Sequence, residues 1–206
     1  MGLNLTTTTG KVIASLALVG TAAGVAGLGT YGAFTSSTSA SDTVASGTVS
    51  IALGATGTTN RLTVGATNVV PGDTIQRAAT LTNATGNQNL SAITLTTSAL
   101  PTSLLDTNTT MGLQATIDEC SVPWTEAGTS PAYTYTCTGT TTTVLASRPV
   151  IGTNMALANL TSLTAGQTDN LRVTMTLPAT ADNTLQNQNS TIAFNFTGTQ
   201  RTATNK

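Results

Sequence analysis

The sequence predicts an all-β protein, an antiparallel β-sandwich preceded by an N-terminal signal helix. Three observations lead there. Apolar residues recur with period two over several short stretches, where a helix would need a period near 3.6. Clusters of Gly, Pro, Asn and Asp separate those stretches and read as turns. Threonine fills the alternate positions, and its β-branched side chain suits a half-buried pleated surface.

The elements follow in chain order. Val12 to Leu28 is apolar and uncharged after Lys11. A membrane-spanning helix needs about 20 such residues. This run is just short of that, and Gly20, Gly24, Gly27 and Gly29 weaken it as a helix. One basic residue, a short apolar core and small residues behind it make a secretory signal. Cleavage is placed between Gly32 and Ala33, so that residues 1–32 are the signal peptide. The residues before Lys11 are polar and nearly uncharged, which leaves a retained membrane anchor as the alternative. N-terminal sequencing of secreted protein is expected to begin at Ala33; a mature form that retains Lys11 would refute the cleavage.

Residues 33–43 form an N-terminal arm that includes Ala33, Phe34, Thr35, Ser36 and Thr43. It is small and polar, with Phe34 as its one large apolar side chain, and cannot bury enough surface to order itself. It is therefore expected to lie outside the sheets until captured. Residues 44–206 form the sandwich domain. Its first strand ends on Val49, Ile51 and Leu53, which share one face.

Pro71-Gly72-Asp73 is a turn, followed by a strand over residues 74–82 with Ile75, Ala79 and Leu81 on one parity. After the turn at residues 83–87, Leu90 to Leu100 forms the next strand, which Pro101 stops. Met111, Leu113, Ala115 and Ile117 alternate, and shorter strands are expected over 132–137 and 141–146. Leu171, Val173, Met175 and Leu177 make one stripe, ended by Pro178. Ile192, Phe194 and Phe196 make the last. Some eight such strands imply a sandwich with one face of each sheet inward.

Cys120 and Cys137 are the only cysteines. A lone pair in an exported chain most often forms a disulfide. Trp124, Tyr133 and Tyr135 lie between or beside them, three of the chain's seven aromatics. The insert therefore reads as a surface flap pinned by the bond.

Composition excludes several classes of function. Charged residues are 7% and the net charge is −1, with no basic run, so no nucleic-acid partner is expected. There is no histidine, which removes Ser-His and Cys-His pairs and His-based zinc sites. Of the eight acids only Asp118 and Glu119 adjoin, and on a strand their side chains point to opposite faces. No catalytic residue, metal ligand or cofactor is expected.

Three segments carry a family resemblance. Gly29-Thr30-Tyr31-Gly32-Ala33-Phe34 leads to Ala45-Ser46-Gly47-Thr48-Val49-Ser50-Ile51. Val69-Val70-Pro71-Gly72-Asp73-Thr74-Ile75 leads to Leu81-Thr82-Asn83. Leu185-Gln186-Asn187-Gln188 precedes Ile192-Ala193-Phe194-Asn195-Phe196-Thr197-Gly198-Thr199-Gln200. In this order they resemble the TasA/camelysin family of exported bacterial proteins; the middle of the chain matches no pattern of that family. The resemblance implies a jelly roll and an extracellular location. TasA-like members are biofilm-matrix fibre proteins whose subunits exchange N-terminal arms. Camelysin-like members are described as surface metalloendopeptidases. The expectation is a head-to-tail homopolymer in the matrix or at the cell surface, with other matrix proteins or the surface itself as further partners. The alternative is a camelysin-like peptidase.

Overall fold

The computed structural model describes residues 35–39, 42–43, 52–53, 57–58, 60–62, 64–66 and 68–202. The signal segment, the cleavage site at Gly32 and Ala33, and Phe34 lie outside them, as do Val49 and Ile51 of the first expected strand.

In chain order the strands are β1 (Thr35–Ser39), β2 (Asp42–Thr43), β3 (Ala52–Leu53), β4 (Val64–Ala66), β5 (Thr74–Thr82), β6 (Leu90–Ala99), β7 (Gln114–Cys120), β8 (Thr125–Thr129), β9 (Ala132–Thr136), β10 (Thr141–Pro149), β11 (Met155–Ala156), β12 (Thr168–Thr176) and β13 (Ser190–Gln200). One sheet has the order β10-β7-β12-β5-β3. The other runs β11-β6-β13-β1-β2, with β4 also paired to β13, and β8 and β9 form a separate hairpin. Every strand pair is antiparallel. The all-β class is therefore the observed one.

The apolar stripes do what their spacing requires. Leu171, Val173, Met175 and Leu177 are at most 1% exposed, as are Ile117, Leu81, Ile93 and Leu95. With Ile192, Phe194 and Phe196 from the other sheet they form a single hydrophobic cluster. The two sheets thus share one core. The turns also fall where the sequence places them: Gly72 and Gly86 adopt φ of 96° and 92°, a region costly for side chains with a Cβ.

Two details depart from the parity reading. Arg77 falls on the inward parity of Ile75 and Ala79, a charged side chain in an apolar stripe, and is only 6% exposed. Its guanidinium returns a hydrogen bond to the Gln76 carbonyl at 2.6 Å, and burial lowers its pKa from the ordinary value. The second departure is a one-turn helix, α1 (Leu104–Thr107), where no helix was expected. Ser103 accepts from Leu105 N, and Asp106 accepts from Ser103 N at 2.7 Å. Ser-x-x-Asp ahead of a turn is a capping-box spacing that sequence alone displays.

The sandwich has two distinguishable ends. Thr82, Leu90, Cys120, Thr168 and Gln200 mark the disulfide end; Thr74, Ala99, Gln114, Thr176 and Ser190 mark the end that carries α1.

Candidate functional site

The arm is where the structure differs most from expectation. β1 pairs with β13 of its own chain, Thr35 with Thr199 through Thr38 with Phe196. β2 then folds back on β1. The arm is thus part of a sheet. The physical reason is that strand pairing uses main-chain groups, so a polar segment can dock on an edge that offers unpaired N–H and C=O groups.

β13 is the strand on which this depends. Along one side it pairs with β6, from Ile192 opposite Ala99 to Gln200 opposite Leu90. Its other side is divided: β4 takes Ser190 to Ile192, and β1 takes Phe196 to Thr199. Phe196 itself is fully buried. The edge under the arm is therefore backed by the common core.

The expected disulfide joins Cys120 to Cys137. It ties the β8–β9 hairpin to the end of β7, and the hairpin lies over β5. Trp124 Nε1 donates to the Asn170 carbonyl at 2.8 Å. The Arg172 guanidinium sits 4.4 Å above the Trp124 ring and donates to Asp118 Oδ2 at 2.8 Å. Arg61 grips Glu126 with two donors, at 2.7 and 3.2 Å, and stacks 4.5 Å from the Tyr133 ring. Tyr135 Oη donates to the same Glu126 at 2.7 Å. The Arg61 hydrogen bond holds the Glu126 carboxyl below its ordinary range. Burial first, and Glu126 second, push Tyr135 up to about 12.

Sequence reasoning located the aromatic insert but missed the arginines. Arg61, Arg77 and Arg172 are three of the chain's five arginines, and each lies over an aromatic ring of the insert. That scarcity of arginine was the available signal. The arrangement is a clamp: the hairpin covers the outer face of the five-stranded sheet through stacked cations and the Arg61–Glu126 ion pair. Replacing both cysteines by alanine is expected to destabilise the chain by about 3 kcal/mol, on the chain-entropy estimate for a loop of this size. Denaturant titration in water and in reductant checks this.

Seven of the eight acids have contacts within the fold. Asp73 accepts from Val70 N in its turn, and Asp182 caps the 3-10 turn at Asn183–Leu185. Asp106 accepts from Ser190 Oγ at 2.5 Å. Asp118 and Glu119 do point to opposite faces: Asp118 meets Arg172, and Glu119 meets Asp169. Asp169 is fully buried, and accepts from Thr161 N and Oγ1 and from Ser162 N at 2.6 to 2.9 Å. Burial, and then Asp169, raise the Glu119 pKa from 4.5 to about 7.

A carboxyl raised in the folded state binds its proton more tightly there than in the unfolded chain. Glu119 therefore stabilises the fold below pH about 4.5, and that contribution is lost as pH rises toward about 7. Glu119→Gln is expected to remove this part of the pH dependence. Unfolding titrations of both chains from pH 4.5 to 8 measure the difference.

A family model described as "Camelysin metallo-endopeptidase" matches residues 5–205. No curated protein matches the chain. No solved structure matches it either. The family description implies a catalytic metal. Catalytic zinc takes three protein ligands from His, Cys, Asp and Glu. The chain has no histidine, both cysteines are in the disulfide, and no three such residues are grouped among the described residues. The described residues do not fit a catalytic zinc.

Proposed function

The chain belongs to the TasA/camelysin family, and from that premise we propose that it is a structural subunit of an extracellular fibre. Subunits join by giving the arm, residues 33–43, to the β13 edge of a neighbour. The observation that carries this reading is the pairing of β1 with β13 through Phe196 to Thr199. A strand held on an edge by main-chain bonds can be replaced by the same strand from another copy at little cost in contacts, which is the logic of domain swapping. Repeated head to tail without closure, it yields a filament.

The sheet connections support a jelly-roll arrangement. β5 pairs with β12 in one sheet, while the strands that follow each of them, β6 and β13, pair in the other. A two-stranded ribbon wrapped across both sheets has that pairing, as jelly rolls do. Residues 1–32 then act as the export signal, and the mature chain is placed in the biofilm matrix or at the cell surface. Its partner is a second copy of itself, with other matrix proteins or the surface as further contacts.

The second reading is the one in the family's description, a metallo-endopeptidase. The missing donor set weighs against it. Negative-stain microscopy of the secreted chain, with casein cleavage measured with and without chelator, separates the two. Filaments without cleavage support the fibre reading. Chelator-sensitive cleavage by unpolymerised chain, lost when an acid is changed to its amide, would replace it.

A further inference from the structure

Two carboxyls meet at the disulfide end of the sandwich. Ala115, Ile117 and Glu119 share the inward parity of β7, and Asp169 and Leu171 share that of β12. Leu171 stands opposite Glu119, so Asp169 holds the next inward position along β12. Asp169 is wholly buried, and every group shown on its oxygens from residues 161 and 162 is a donor. The hydrogen bond between the two acids therefore needs a proton, and Glu119 carries it. Two carboxyls in contact cannot both ionise without repulsion, and burial strengthens that repulsion. Among the described residues, Asp169 is the charged group that acts on Glu119. β12 sets Leu171 beside it, β10 sets Thr142 opposite it, and Thr161 and Ser162 meet Asp169, none of them charged. Asp118 and Arg172 pair on the other face.

The pair holds a loop, and the loop holds a strand end. In residues 161–166, the Leu163 carbonyl accepts from Leu90 N, Ala165 N donates to Asn89 Oδ1, and Gly166 N donates to the Asn83 carbonyl. The Asn89 carbonyl in turn accepts from Arg201 N, and Leu90 stands opposite Gln200. Ser91 Oγ donates to the Thr199 and Gln200 carbonyls at 3.2 and 3.0 Å. Thr199 is the residue opposite Thr35, where β1 begins its pairing with β13. A run of hydrogen bonds and short chain steps thus joins Asp169 to the strand end on which the arm docks.

We propose that the Glu119–Asp169 pair is a proton-operated latch: with its shared proton in place it holds residues 161–166 and, through them, the docked arm, and loss of the proton to solvent loosens both. Ionised Glu119 repels Asp169, and the cost is relieved when Asp169 moves away from Thr161 and Ser162. Burial, and then Asp169, raise the Glu119 pKa to about 7, which puts the change near neutral pH. The sign is that of a raised carboxyl: the latch is closed in acid and opens as pH rises through about 7. Opening is local, since the buried cluster from β5, β12 and β13 does not depend on the pair. The latch acts on the arm within one chain, so it stands or falls independently of the fibre reading.

The experiment is hydrogen–deuterium exchange on the dilute, unpolymerised chain at about pH 5.5 and about pH 8, with rates corrected for the intrinsic effect of pH. Between the two conditions, protection of residues 161–166 and 89–91 and of the arm at 35–38 is expected to fall about tenfold. The full displacement of the Glu119 pKa would give more, but the side chain is only partly buried. Protection in the middle of β12, residues 171–175, is expected to stay the same. Glu119→Gln keeps a donor toward Asp169 and cannot ionise, so its protection is expected to match the acid state at both pH values. The comparison of the intact chain with itself needs no variant to fold. Equal corrected protection at both pH values in the intact chain would overturn the latch. So would a fall that persists in Glu119→Gln, which would assign it to another group. A fall in residues 161–166 with none in the arm would overturn the coupling to the arm.

Discussion

Deletion of residues 33–43 is expected to abolish polymerisation and leave a folded chain. The arm contributes the pairing from Thr35 to Thr38 on β13 and little else that the core requires, because the buried cluster is built from β5 onward and from Leu62. Its loss uncovers the edge at Phe196 to Thr199. An uncovered edge of this kind is a template for an added strand. A synthetic peptide of residues 33–43 is therefore expected to bind the shortened chain and not the intact monomer, whose edge is already filled. Fluorescence anisotropy of the labelled peptide reads this directly, and circular dichroism confirms the fold. Equal binding to both chains, or fibres from the shortened chain, would show that the arm is not the joining element.

Phe196→Ala is expected to destabilise the domain by about 3–5 kcal/mol, a large part of the roughly 5–15 kcal/mol that holds a typical domain together. Phe196 is fully buried and lies in the common cluster with Leu95, its partner on β6. It also stands opposite Thr38 of the arm, so the cavity opens beneath the edge that β1 occupies. Loss of stability and loss of arm binding should appear together. Asn195→Ala, on the exposed face of the same strand, is expected to change stability by less than about 0.5 kcal/mol. Urea titration of the two variants tests the contrast; similar losses would mean that β13 is not inserted in the core as described.

Much of the fold was legible because a strand's two faces are set by residue parity alone. The stripe from Leu171 to Leu177 has only one face to bury, and all four residues are buried. Pro71-Gly72-Asp73 and the turn around Gly86 announce themselves by residues that tolerate the backbone required. The cysteine pair was legible from its number. What escaped were features carried by main-chain groups or by distant partners. β1 has no apolar pattern, so nothing in its side chains points to β13.

The amino-acid sequence by itself determined the β class, the inward stripes, the disulfide pairing and the lack of any histidine for catalysis, since each follows from residue type and local spacing. Only the tertiary structure decided where the arm lies, that three arginines clamp the hairpin, and that Glu119 meets Asp169. Those relations join residues far apart in the chain. A hydrogen bond between strands, or a guanidinium over a ring, is fixed by register and sheet order, and neither is encoded in the spacing of any one segment.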